Sequence, residues 1–216
     1  TKIKENNNNT VDLNFNIDLG EKAYIYNIKF IGDKRIKDRK LKNVIISEES
    51  KFWKFISRKK FLDEKRIKLD ENLLRNYYKN NGYYNVQINS TFAQIVNDNK
   101  FELVFNIDSG EKHYFNDLKL EIPDSFDRNN FIKMRKVLDE LKFKQYSLNK
   151  IEKVLDEVDQ IVLNKQYQFI NATYDEIVKE NKINLIFKIK ESEKKYVERI
   201  NILGNYITNE NVIRNS

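Results

Sequence analysis

Hydrophobic and polar residues alternate strictly through three short stretches of this 216-residue chain. In the first, Val11, Leu13, Phe15 and Ile17 interleave with Asp12, Asn14, Asn16 and Asp18. Phe101, Leu103, Phe105 and Ile107 repeat the pattern, and Ile183, Leu185, Phe187 and Ile189 repeat it again. A period of two predicts half-buried strands, because successive side chains leave a strand on opposite faces. Each stretch runs into a shared tail: Leu-Gly-Glu-Lys at 19–22, Ser-Gly-Glu-Lys at 109–112 and Glu-Ser-Glu-Lys at 191–194. The common glutamate stands at 21, 111 and 193, so the spacings are 90 and 82 residues. Three copies in phase predict an internal repeat. Gly20 and Gly110 interrupt the strands where a bend costs least.

A second strand follows each marker, with Tyr26, Ile28 and Phe30, then Leu118, Leu120 and Ile122, then Ile200 and Ile202 as its apolar positions. Gly32-Asp33 and Gly204-Asn205 close the first and third copies as turns. Between markers the spacing becomes helical. Leu41, Val44 and Ile45 predict a short helix, and Ile67, Leu73, Leu74, Tyr77 and Tyr78 a longer one ended by Asn81-Gly82. In the second copy Phe131, Met134, Leu138 and Leu141 form one stripe. Ile151, Leu155, Val158 and Val162 form another, with Ser147 as its N-cap and Asn164 as a left-handed stop. Strands at 84–96 and 167–178 follow the longer helices.

Each repeat therefore reads strand, helix, helix, strand, strand. The direction of travel makes the last strand parallel to the first and antiparallel to the middle one. The predicted fold is α/β (α+β): tandem two-layer β-α-α-β-β units, each a three-stranded mixed sheet covered by two helices. Residues 23–110 and 111–193 form complete units, 1–22 end a preceding one and 194–216 begin a following one.

Composition narrows the chemistry. No window approaches the apolar length of a membrane-spanning helix. The opening Thr1-Lys2-Ile3-Lys4 has no apolar leader, and the chain reads as part of a longer protein. Absence of cysteine removes disulfides, thiolate nucleophiles and thiolate metal sites together. The net charge of +7 suits an anionic partner, but the basic residues are interspersed with 33 acidic ones. That mixture reads as compositional bias. A nucleic-acid-binding module would need a Gly-x-x-Gly loop or an RNP strand, and neither occurs. His113, the single histidine, has no second histidine or cysteine to share a metal, and is expected on the surface beside a strand. Ser-x-x-Lys occurs at 57–60, 147–150 and 192–195, as a lysine-rich chain produces by chance. No catalytic, cofactor or metal site is expected, and no nucleic acid; the protein reads as a non-enzyme.

The segment Leu73-Leu-Arg-Asn-Tyr-Tyr-Lys-Asn-Asn-Gly-Tyr-Tyr-Asn-Val86 resembles the second-helix-to-strand signature of the POTRA family. Phe15 to Glu21 with Ile28 to Asp33 is similar to that family's domain junction, and Tyr196 to Asn205 to the start of its last unit. The loop Glu49 to Phe55 is similar to one in its third unit, so 23–110 and 111–193 correspond to third and fourth units. Asn164 to Tyr167 replaces the family's Gly-Tyr pair, and Glu121-Ile122-Pro123 departs from its Gly-Asn turn. The resemblance implies a periplasmic scaffold at the outer membrane of a Gram-negative bacterium. It would receive unfolded outer-membrane proteins, dock accessory lipoproteins of the assembly machinery (Bam lipoproteins) and precede an outer-membrane β-barrel of the same chain. A TamA-like factor or a secretion transporter is the alternative within the family.

The resemblance also implies binding by β-augmentation, in which a partner strand adds to an open sheet edge. With the last strand central, the middle strand is an edge. In the first unit that edge comprises Asn85, Val86, Gln87, Ile88, Asn89 and Ser90, continuing through Thr91, Phe92, Ala93, Gln94 and Ile95. In the second it begins Gln168, Phe169, Ile170, Asn171, Ala172, Thr173. The inward positions shift from Val86 and Ile88 to Ala93 and Ile95, which predicts a bulge near Ser90 or Thr91. Phe52, Trp53 and Phe55 are either interface anchors or aromatics tucked under their own unit.

Overall fold

The structure, a computed structural model, describes residues 2–5, 11–15, 23–50, 61–97, 99–165 and 170–191. At the start, β1 (Lys2–Glu5) and β2 (Val11–Asn14) pair antiparallel, with Ile3 opposite Leu13. Two repeats of one element order follow. The first contains β3 (Tyr24–Asp33), α1 (Asp38–Val44), α2 (Glu64–Asn80), β4 (Gln87–Asn97) and β5 (Lys100–Asp108). The second contains β6 (Tyr114–Glu121), α3 (Ile132–Leu141), α4 (Leu148–Asn164), β7 (Ile170–Lys179) and β8 (Lys182–Glu191). The sheets run β3-β5-β4 and β6-β8-β7, so the last strand is central in both. β5 lies parallel to β3 and antiparallel to β4. A parallel pair needs a long crossover, which the two helices supply, whereas β4 and β5 need only a tight turn.

The first core forms between sheet and helices. Ile25, Ile28 and Phe30 of β3 and Leu103, Phe105 and Ile107 of β5 are buried with Leu41 of α1 and Leu74 and Tyr78 of α2. The Phe30 and Phe105 rings stack at 5.5 Å. Tyr26, expected inward, is 55% exposed, because the register slips between Ile25 and Asn27 and Ile25 takes the inward place. Phe115 and Leu118 of β6 show the same three-residue step between buried positions. In the second repeat Phe131, Met134 and Leu138 are buried as expected. On α4 the stripe is Ile151, Val154, Val158 and Val162, with Val154 in place of Leu155. Asn164 stays the last helical residue, with no left-handed turn.

Polar groups tie the loops to this core. Asp70 on α2 is fully buried and accepts hydrogen bonds from the backbone N–H groups of Ile46 (2.6 Å) and Ser47 (3.2 Å). One carboxylate thus fixes the chain after α1 against α2. The Tyr78 hydroxyl donates to the Lys34 carbonyl at 2.5 Å, and burial pushes its pKa well above the usual phenol range. α2 ends at Gly82 in the left-handed region (φ +88°), with Tyr83 N–H donating to the Tyr78 carbonyl.

Backbone contacts divide the molecule into two units whose border does not follow the repeats. Among the described residues, the first unit runs through Asp117 and takes in Lys142–Glu152 and Val178–Asn184. Leu118–Leu141, Lys153–Ile177 and the rest of β8 from Leu185 make up the second.

Two predictions follow from β3 and its neighbour. Gly32 has φ +87°, and an added Cβ would collide with the Ile107 carbonyl oxygen. Gly32→Ala should therefore destabilise the first unit by about 1–3 kcal/mol, read from urea unfolding. On the sheet face away from the helices, Glu102 accepts from Lys29 Nζ (2.8 Å) and Asn27 Nδ2 (2.9 Å), which holds its carboxyl below the ordinary 4.5. A depressed acid stabilises the fold above its unfolded value and loses that contribution on acidification. NMR titration should place the Glu102 midpoint below 4.5, and Lys29→Met should raise it.

Candidate functional site

A three-stranded sheet has two edges, and the first unit treats them differently. Along β3 the outward backbone groups are occupied. Ser50 N–H donates to the Ile25 carbonyl at 2.7 Å and Leu62 N–H to the Ala23 carbonyl at 3.0 Å. Tyr24 forms a bridge with Phe61, and Lys34 Nζ donates to the Phe30 carbonyl at 2.8 Å. Ile28 N–H, the next donor along, is met by a side chain: Glu49 Oε1 accepts from it at 3.1 Å while also pairing with Lys42. β6 is held similarly, with Phe115 N–H on the Lys144 carbonyl and Phe143 N–H on the Phe115 carbonyl, both at 2.9 Å. The connections leading into the long helices thus consume one edge of each sheet.

β4 is the contrast. Among the described residues, none of Gln87 to Asn97 is hydrogen-bonded on the side away from β5. With respect to the described residues its outward N–H and C=O groups are unpaired, the condition that lets another strand pair. Ile95 (70% exposed) and Val96 (46% exposed) add apolar surface at the end of this edge. The register breaks between Ile88 and Ser90, so Asn89 is the bulged residue, one place before the expected position. The bulge moves Thr91 opposite Phe105 and Ala93 opposite Leu103, on the helix side of the sheet, which accounts for the shifted alternation. The Thr91 hydroxyl is buried there without a hydrogen-bond partner among the described residues.

Of the residues expected on the edges, Gln87 to Ile95 lie in β4. Asn85 and Val86 do not: they belong to the turn after α2, and Val86 is a core residue. The turn is longer than expected because Tyr83 and Tyr84 fold back on the helix end before the strand can start. β7 begins at Ile170 and contains Asn171, Ala172 and Thr173. Gln168, Phe169, Phe52, Trp53 and Phe55 lie outside the described residues.

His113 is the clearest correction. It is 3% exposed, not a surface residue. Its backbone N–H donates to the Gly82 carbonyl (2.8 Å) and its carbonyl accepts from Tyr146 N–H (2.9 Å). The imidazole lies 3.0 Å from the Glu111 carbonyl oxygen and beside the Tyr84 ring. Ser147 stands before α4 as expected, but the capping oxygen is Asn80 Oδ1, which accepts from Asn149 N–H at 2.8 Å and from the Ser147 hydroxyl at 3.2 Å. Neither Asn80 nor Glu49 carries a sequence signal, since each acts on a partner far along the chain.

One family model matches the part of the chain that forms the first repeat: residues 23–110 match POTRA, "Surface antigen variable number repeat". The match covers the first repeat, and the second repeat has the same element order. The repeats are similar to those of the outer membrane protein assembly factor BamA. The BamA of Neisseria meningitidis is 26% identical over 99% of this chain and 27% of its own length. That of Buchnera aphidicola is 23% identical over 96% of this chain and 34% of its own. The chain thus spans about a quarter to a third of these curated relatives. A crystal structure of Haemophilus influenzae BamA POTRA3-5 shares the fold with a TM-score of 0.67, at 15% identity, over 91% of this chain and 77% of that one.

Glu49 gives the site its prediction. Glu49→Ala leaves the Ile28 N–H without its acceptor and should cost about 1–3 kcal/mol in urea unfolding. Sedimentation velocity should show more self-association of the variant through the exposed β3, whereas Glu49→Gln keeps an acceptor and remains monomer-like.

Proposed function

We propose that this chain is part of a periplasmic scaffold of the outer-membrane β-barrel assembly machinery, and that it works by holding polypeptides rather than by catalysis. In this reading residues 23–110 and 111–193 are its complete POTRA units. The first presents β4 to unfolded outer-membrane proteins, and accessory lipoproteins dock on the same array. The similarity to BamA along nearly the whole chain supports the location and the setting. The open edge of β4 beside the covered edge of β3 is the observation that carries the mechanism.

Main-chain pairing suits such a client. Every unfolded barrel segment offers the same alternation of N–H and C=O, so an edge can accept strands of many sequences. The bulge at Asn89 interrupts that alternation. An added strand would therefore pair continuously along Ser90 to Ile95, beside the exposed Ile95 and Val96. No helix among the described residues is long and apolar enough to cross a membrane.

The test combines a titration with two proline variants. Adding a peptide copied from an outer-membrane β-strand should shift the backbone NMR signals of Ser90 to Ile95. Adjacent strand residues point their N–H groups in opposite directions. One of Ala93→Pro and Gln94→Pro should thus unfold the sheet by removing a bond to β5. The other should leave the spectrum folded and abolish peptide binding. A folded variant that still binds, or shifts centred away from β4, would refute the mechanism.

A further inference from the structure

We propose that the first unit carries a second binding site: a basic pocket that takes an acidic segment of a partner polypeptide. The pocket, about 340 Å³, lies where the loop between β3 and α1 meets the end of α2. Arg35, Lys37, Lys40 and Lys112 line it together with Tyr77 and Tyr83, and no carboxylate is among its lining residues. Gly32 and the left-handed Arg35 (φ +50°) bend the loop tightly, with Lys34 N–H on the Gly32 carbonyl at 3.0 Å.

The four cations are not equivalent. Arg35 is already engaged by Asp33, with Nε on Oδ1 at 2.7 Å and Nη2 on Oδ2 at 3.0 Å, and this pairing raises its pKa. Glu111 is a further carboxylate within electrostatic reach of Arg35. Lys37, Lys40 and Lys112 form no ion pair with any described residue. Lys112 is positioned rather than neutralised: its Nζ lies 5.6 Å from the centre of the Tyr83 ring and 3.3 Å from Gln145 Oε1. The hydroxyls of Tyr77 and Tyr83 also have no hydrogen-bond partner among the described residues. Three ammonium groups with no ion-pair partner among the described residues, and two phenols, thus line one concavity.

This chemistry favours separated carboxylates over a single phosphate. A phosphate is held best by a free guanidinium fork, and the only guanidinium lining this pocket is occupied by Asp33. Lysines spread around the rim are point charges that match several carboxylates along a peptide. Ile36 and the tyrosine rings offer apolar contact to the stems between those charges. The pocket lies apart in sequence from β4, so the two sites can be tested separately.

The experiment is fluorescence anisotropy of a labelled peptide alternating aspartate with leucine and serine, at low salt, with the whole chain. Lys37→Glu with Lys40→Glu, and separately Lys112→Glu, should weaken binding by about tenfold or more. The control Lys133→Glu with Lys136→Glu changes the net charge equally on exposed positions of α3 and should change affinity less than about twofold. Equal loss in both double variants would mean only general attraction to a basic surface and would overturn the proposal. Absence of peptide binding, or competition by inorganic phosphate or anionic phospholipid vesicles at lower concentration than by the peptide, would overturn it as well. The folded proline variant of β4 should still bind this acidic peptide, so failure of edge pairing and failure of the pocket are read apart.

Discussion

Placing the last strand between the other two is the constraint on which the rest of this molecule depends. β5 can reach that position only after the chain has crossed the sheet through two helices, returned as β4 and turned back. The arrangement fixes the core, because β5 then carries Leu103, Phe105 and Ile107 under both helices. It also fixes the surface, because two edges of unequal character remain. β3 runs beside the connection between α1 and α2, close enough for backbone and the Glu49 carboxylate to take its outward groups. β4 has no such neighbour among the described residues.

Fixed carboxylates do much of the organising. Asp70 fastens the loop after α1 to α2, Glu49 closes a strand edge, Asp33 occupies Arg35, and Glu102 joins β5 to β3 across the outer face. Each of these four meets its donors within one unit, whereas Lys37, Lys40 and Lys112 form no ion pair with a described residue. On the two proposals made above, a main-chain edge that ignores sequence would admit many polypeptides, and a charged concavity would orient those with acidic stretches.

The repeat was legible because its signals are local. Alternation at Phe101 to Ile107 and helical spacing at Ile67 to Tyr78 survive in any tertiary setting, and direction of travel alone places β5 in the middle. The errors came where one residue's role depends on a distant one. Tyr26 has the right spacing to face inward, but it is itself the residue skipped in the register with β5, and Ile25 takes the inward place. The bulge in β4 could be inferred from the shifted alternation, yet its position depends on which β5 residue lies opposite, and it fell at Asn89. His113 carries only the sequence marks of a lone surface imidazole, because its burial arises from Gly82, Tyr84 and Tyr146, none adjacent in the chain. Composition likewise suggested diffuse positive charge, and only the loop geometry gathers part of it into a pocket.

Asn80 closes α2, and its side-chain oxygen receives the first turn of α4. The N-terminus of one repeat's long helix is thus completed by the last residue of the previous repeat's long helix. Evolution by duplication has to respect this loan. A repeat copied or excised at the marker glutamate would separate α4 from its cap, leaving Asn149 N–H to water and the Ser147 hydroxyl without its acceptor. For this pair of helices the structural module is therefore offset from the visible repeat, because α4 takes its cap from inside the repeat before it.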